Sequence, residues 1–166
     1  MVRYRFKNLG TTNIHSEKGN WQTGKHSEIV FEGKASLCSG IRISCGDNGK
    51  IVFGDHCVFT GRSTIICGNN SSIFFGESTL MSWDCLVMNT DFHHIFSNGF
   101  SQPNIAPIKI GKHCWIGCRC TLLKGTVLHP DSVLAAGTII CKSIDAGNVL
   151  VGGVNQVLKR NISWEE

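Results

Sequence analysis

Residues 51–75 read IVFGDHCVFTGRSTIICGNNSSIFF, and the three residues that open this stretch recur along the chain. Ile29-Val30-Phe31, Ile51-Val52-Phe53 and Ile73-Phe74-Phe75 stand 22 residues apart. Within each step, large apolar residues fall six apart, at Phe31, Leu37 and Ile43, at Phe53, Phe59 and Ile65, and at Phe75, Met81 and Val87. A longer run follows the third of them, seen as Cys45-Gly46-Asp47-Asn48-Gly49-Lys50 and Cys67-Gly68-Asn69-Asn70-Ser71-Ser72, with the Gly, Asn, Asp and Ser content of a turn. Trp21 to Glu28 has the same shape one step earlier. Helical 3.6-residue spacing and sustained alternation are both absent. Very short strands stacked coil upon coil account for the pattern.

The ladder breaks once. Ile108-Lys109-Ile110 follows Ile73 by 35 residues, thirteen more than the established step. The extra residues begin near Asn89-Thr90-Asp91-Phe92-His93-His94, which predicts one protruding loop at about 91–107. Beyond it the period is a plain six, at Ile110, Ile116, Leu122, Leu128, Leu134 and Ile140. An irregular loop on a regular scaffold is where chemistry is expected.

The fifth residue of each six is small, as at Ala35, Cys57, Ser63, Thr79, Cys85, Cys114, Cys120, Thr126, Ser132 and Thr138. A narrow three-sided core demands such residues. Four of the nine cysteines take this slot as small buried groups. With an odd count and no CxxC pair, the thiols read as mostly reduced, which points to the cytoplasm. Gly54, Gly76, Gly111 and Gly117 follow the large residue, where a tight corner favours a missing side chain. A net charge of +4, spread along the chain, gives no reason to invoke nucleic acid. No run of 18 apolar residues predicts a membrane helix, and the first seven residues lack the apolar run of a secretory signal. Three segments are expected: a lead-in or cap at 1–20, a β-helix domain at 21–152 and a C-terminal tail at 153–166.

These hexamers resemble the hexapeptide-repeat acyltransferases over roughly residues 21–164. The resemblance implies an all-β fold, a left-handed parallel β-helix of triangular coils, and a homotrimer with active sites between subunits. Asp91-Phe92-His93, Ile108-Lys109-Ile110-Gly111 and Cys114-Trp115-Ile116-Gly117 are similar to the O-acetyltransferase branch, which includes maltose and galactoside acetyltransferases and enzymes of surface-polysaccharide synthesis. Asn161-Ile162-Ser163-Trp164 resembles a tail common in the polysaccharide group. The sequence departs from the family at Gly152-Gly153-Val154-Asn155-Gln156, where a proline is missing and Gln156 replaces a basic residue. Arg62 stands where maltose-type enzymes place an asparagine.

Acetyl transfer from a thioester to a hydroxyl needs a base, because the hydroxyl is a poor nucleophile at neutral pH, and histidine suits the task. The resemblance maps that base onto His93, with the adjacent His94 as rival. Asp91 either orients the imidazole or caps a turn. Arg62 and Asp84 share a slot of adjacent coils, so they form either a surface ion pair or, with Trp83 and His94, the wall of an acceptor pocket near the loop. For the co-substrate acetyl-CoA, the resemblance implies Trp115, Gly117, Cys118, Ala136, Gly137, Cys141 and Lys142, with Lys159 and Arg160 near the phosphates. His15, His26, His56, His113 and His129 read as solvent-facing, and no metal is expected. Two other readings stay open: N-acetylation of an amino sugar, and a non-catalytic trimeric β-helix for binding or assembly.

Overall fold

A computed structural model describes residues 3–6, 13–14 and 20–165. Among the described residues there is no helix; short strands stack into three parallel sheets, the faces of a triangular solenoid. The first face carries Glu28–Phe31, Lys50–Phe53, Ser72–Phe75, Ile108–Ile110 and Val127–Leu128. The second begins its regular series with Ala35–Leu37 and the third with Trp21–Thr23. The architecture is the left-handed parallel β-helix that the resemblance implies.

Register follows the repeat. Ile29 lies beside Ile51, Ile51 beside Ile73, and Ile73 beside Ile108, so the longer interval is absorbed by the loop and leaves the stack intact. After it, Ile110 pairs with Leu128, Ile116 with Leu134 and Leu122 with Ile140. The coil has shortened because the third corner loses its extra residues. The longer corners place Asn48 and Asn70 at φ of 52° and 51°, a conformation asparagine tolerates well.

All the large hexamer residues are buried at 1% exposure or less. Phe31, Phe53 and Phe75 stack along the axis with centroids 5.0 and 5.4 Å apart, and Phe59 meets Phe53 and Phe75 edge-on at 5.3 and 5.0 Å. The small slots are buried as well, and their polar atoms are satisfied. Thr79, Thr126 and Thr138 each donate a hydroxyl hydrogen bond to the carbonyl three residues back, at 2.7, 2.7 and 2.6 Å. Cys57, Cys85, Cys114 and Cys120 use their thiols in kind, toward carbonyls of the next coil at 3.2 to 3.3 Å. Thr, Ser and Cys are interchangeable here because each supplies a small donor against the corner backbone. All nine cysteines are free, and only Cys141 is exposed.

The glycines after the large residues serve a purpose different from the one expected. None of the four adopts positive φ. A Cβ at Gly76 would lie 2.6 Å from the Gly111 carbonyl carbon, and one at Gly111 would lie 2.5 Å from the Pro130 nitrogen. Close approach of successive coils, rather than turn geometry, excludes the side chain.

Both ends depart from the plain repeat. Within the 1–20 lead-in, Arg3–Phe6 pairs in parallel with Glu28–Phe31, and Asn13–Ile14 pairs with Ala35–Leu37, so these backbones extend two faces of the helix. At the other end, Val149–Gly152 turns into an antiparallel pair with Gln156–Arg160. The expected boundary at 152/153 therefore falls inside a hairpin. That hairpin ends the second face with a strand that runs the opposite way and blunts the parallel edge.

Candidate active site

The loop leaves the third face after Leu86–Met88 and rejoins the first face at Ile108–Ile110. Its neck is an antiparallel bridge between Thr90 and Ile105, reinforced by Asp91 N–H to Asn104 O at 2.8 Å and Ala106 N–H to Asn89 O at 3.1 Å. Asn89 is fully buried and anchors the neck to the coils. Its side chain accepts from Gly68 N–H at 2.7 Å and donates to Ser71 Oγ at 3.0 Å and to Ser72 O at 3.2 Å. At its tip a two-residue hairpin pairs Phe96–Ser97 with Phe100–Ser101. Phe92, Ile95, Phe96 and Phe100 are all more than half exposed, an apolar surface unusual for a free loop.

His93 is exposed on this loop and makes no hydrogen bond or ion pair to protein among the described residues. His94 is engaged: its Nδ1 lies 3.3 Å from Ser101 Oγ. Asp91 is not hydrogen-bonded to His93. Its carboxylate meets Lys124 Nζ at 3.0 Å, both side chains about 30% exposed. Lys124 follows the strand Thr121–Leu123, which lies directly above Leu86–Met88, so stacking brings it against the loop neck. Sequence reading missed Lys124. The register of 122 with 87 was the signal that could have found it.

Arg62 and Asp84 do meet, Nε to Oδ1 at 3.4 Å, as the shared slot predicts. The Arg62 side chain is 77% exposed, so the pair is a surface one of small value. Trp83 is half exposed beside it. Within one chain this group and the root of the His93 loop lie at opposite ends of the third face. The group sits at the corner before the third face, whereas the loop leaves from the far end of that face, and strands such as Thr64–Cys67 span the gap.

Of the residues matched to acetyl-CoA, Trp115 is on the second face, Gly117, Cys118, Ala136 and Gly137 are at that same second corner, and Cys141 and Lys142 follow Ile139–Ile140 of the third face. Gly137 N–H donates to Cys118 O at 2.9 Å and Gly117 N–H to Leu134 O at 2.9 Å, so these two amides are used between coils. Ala136, Gly137, Cys141 and Lys142 are exposed. Cys141 is tied to Asn155, which accepts from its amide at 2.9 Å and donates to its sulfur at 3.1 Å. Lys159 and Arg160 stand on the final antiparallel strand, opposite Leu150 and Val149.

Trp115 has company that the sequence did not suggest. The tail folds back so that Trp164 stacks on His113 at 4.3 Å and 7°, donates Nε1–H to His113 O at 3.0 Å, and lies 5.9 Å from the Trp115 ring. His113 Nδ1 is 2.9 Å from Asp131 Oδ1. His113 is therefore a packed docking point for the tail instead of the solvent-facing residue expected. His26, His56 and His129 are exposed as read, and His15 lies outside the described residues.

Among known proteins the likeness is of one kind. No family model matches the sequence. A Staphylococcus aureus protein named "Putative acetyltransferase" is 31% identical over 70 residues, 42% of this chain and 34% of that protein. A Mycobacterium tuberculosis "Probable acetyltransferase" is 33% identical over 61 residues, 36% of this chain and 20% of that one. The chain thus spans about a third or less of the curated relatives it matches. Among solved structures, the polysialic-acid-specific acetyltransferase NeuO superposes with a TM-score of 0.70 at 19% identity, covering 99% of this chain and 86% of that one. The chain has the fold of the hexapeptide-repeat acetyltransferases. Galactoside acetyltransferase in complex with coenzyme A gives a TM-score of 0.58 at 21% identity, covering 85% of this chain and 66% of that chain. The Bacillus cereus N-acyltransferase AntD, in complex with a dTDP-amino sugar and coenzyme A, gives 0.65 at 13%, covering 95% and 84%.

Proposed function

We propose that this chain is an acyltransferase that moves an acetyl group from acetyl-CoA to a hydroxyl of a sugar or sugar-containing intermediate, with His93 as general base. The observation that carries the reading is His93 itself: an exposed imidazole, free of partners among the described residues, on the loop that interrupts the coils. The acetyltransferase names of the relatives support the same class.

The transfer is direct. His93 takes the acceptor's hydroxyl proton as the oxygen bonds to the thioester carbonyl carbon. The tetrahedral intermediate then breaks its carbon–sulfur bond, and the proton passes from the imidazolium to the departing coenzyme A thiolate. No cysteine is needed as a nucleophile, which agrees with the burial of most of them. Acetyl-CoA is a co-substrate here, held along the second corner by Trp115, Gly117, Cys118, Ala136 and Gly137, with Cys141 and Lys142 past the end of the third face and Lys159 and Arg160 offering cations to its phosphates. The second corner and the root of the His93 loop lie at opposite ends of the third face, and the reading brings them together through a second copy. The loop of one subunit reaches the cofactor corner of its neighbour, with Arg62, Trp83 and Asp84 beside the acceptor and His94 steadying the loop through Ser101. The exposed Phe92, Ile95, Phe96 and Phe100 support such a contact, and a trimer closes it symmetrically. A second reading, transfer to an amino sugar, is favoured by the likeness to AntD and uses the same base.

His93→Ala tests the assignment. Thioester consumption with acceptor should fall about 10²–10⁴-fold while acetyl-CoA still binds in calorimetric titration. A fully active variant sinks the role of His93.

A further inference from the structure

We propose that the cleft between the C-terminal tail and the first corner is a second binding site, which takes an amino sugar through its protonated amine and its hydroxyls. The site goes beyond the transferase reading and stands apart from it. It lies between the first and second faces, whereas the His93 loop is rooted between the third and the first, and Arg62, Trp83 and Asp84 stand between the second and the third.

The cleft has a volume of about 440 Å³ and is lined by His56, Ser78, His113, Trp164 and Glu165. That is within the range of about 300–1,000 Å³ usual for small-molecule sites. Three of these residues form one column. Val58 pairs with Leu80 and Leu80 with Trp115, so His56, Ser78 and His113 take the same place in successive coils, about 4.8 Å apart. All three are left-handed, at φ of 56°, 55° and 50°. The backbone fixes them there: Ser78 N–H donates to Asp55 O at 2.8 Å and His113 N–H to Glu77 O at 2.7 Å. The tail supplies the other wall. Trp164 lies flat on His113 and spends its Nε1–H on His113 O, so the rest of the indole is an apolar surface held in place.

The polar groups of the lining are mostly acceptors. His56 Nδ1 lies 3.2 Å from Asp55 Oδ2, and His113 Nδ1 lies 2.9 Å from Asp131 Oδ1. An ionised carboxylate only accepts, so each ring keeps a proton on Nδ1 and, when neutral, offers Nε2 as an acceptor. Neither Nε2 has a protein partner among the described residues, and the same holds for Ser78 Oγ and the Glu165 carboxylate. No Lys or Arg lines the cleft; Lys34 and Lys112 flank it, against Asp55, Glu77 and Asp131. Two unused ring nitrogens, a hydroxyl and a carboxylate call for a ligand rich in donors. A protonated amine brings three N–H donors and a charge for Glu165, sugar hydroxyls serve the remaining acceptors, and the indole suits both a sugar's C–H face and a cation. An anion placed here would meet a carboxylate and no lining cation.

Saturation-transfer NMR and titration of the full chain decide it, with glucosamine and methyl 6-amino-6-deoxyglucoside as amino sugars, methyl glucoside as the neutral probe, methyl glucuronide as the acidic one and cyclohexylamine as an amine without hydroxyls. At least one amino sugar should bind saturably, and at least about fivefold tighter than each of the other three probes. Glu165→Gln and Trp164→Ala should each weaken that binding at least about fivefold, as loss of a carboxylate or an aromatic face beside a partly desolvated cation predicts, with unchanged circular dichroism. Binding of no amino sugar, equal binding of the neutral sugar, the acid or cyclohexylamine, or wild-type affinity in either variant overturns the proposal. The assay involves neither coenzyme nor turnover, so its result and that of the His93 test are independent.

Discussion

Lys124→Met isolates what holds the His93 loop. Lys124 Nζ and the Asp91 carboxylate are 3.0 Å apart. The bare attraction at that separation is about 5 kcal/mol at an effective dielectric of about 20, and about 1.4 kcal/mol in water. Both side chains keep about 30% of their exposure, so desolvation and screening leave a net coupling of about 1 kcal/mol. The pair ties the loop neck to the strand above it and nothing else, so its loss should be local. Asp91 N–H and Ala106 N–H, which close the neck, should exchange with solvent about fivefold faster, the equivalent of about 1 kcal/mol. Amides of the core strands should not change. A double-mutant cycle with Asp91→Asn, followed by hydrogen exchange, reads the coupling directly. It should shrink in 1 M salt, where the screening length is about 3 Å. A coupling near zero, or neck amides that exchange as in wild type, would refute the claim that this pair positions the loop. Faster exchange across the whole molecule would refute the claim that the loop opens independently.

The core predicts a larger and global effect. Phe53→Ala removes a ring that touches Phe31, Phe59 and Phe75, and should cost about 3–5 kcal/mol in equilibrium denaturation; a loss below about 2 kcal/mol would mean the stack is poorly packed. The buried thiols predict an alkaline limit. Burial pushes Cys57 up to about 12 and Cys114 up to about 11, while an unfolded cysteine releases its proton near 8.5. The folded state therefore holds protons that the unfolded state has lost, and stability, complete below about pH 8.5, should decline as pH rises toward 11–12 by up to about 1.4 kcal/mol per pH unit for each thiol. Denaturation midpoints between pH 8 and 11 measure it, and Cys57→Thr, keeping the donor without the ionisation, should flatten the curve. At pH 8, Cys141 should react with a maleimide well before the buried thiols, and equal rates would contradict the burial.

Much of this molecule could be read from spacing. The intervals at Ile29, Ile51, Ile73 and Ile108 determined the coils, the register and the place of the loop, because a stacked parallel helix maps equal sequence steps onto contact. The small residue at every fifth position was legible for the same reason: a triangular core has no room for anything larger at its corners. The place of His93 on the irregular loop was legible because it falls where the period fails. Three things were not. The Asp91–Lys124 pair and the seat of Trp164 on His113 join residues at separations unrelated to the period, and only the folded loop and tail choose them. The separation of Arg62, Trp83 and Asp84 from the His93 loop was hidden too, since a repeat reports which residues stack along a column but not which columns share a corner. Nor did the period reveal the cleft at the first corner, which forms where a tail of no fixed period folds back on the coils. Local sequence determines a repeating scaffold because each coil repeats the same short-range contacts; the site was left to tertiary structure because its contacts are made once.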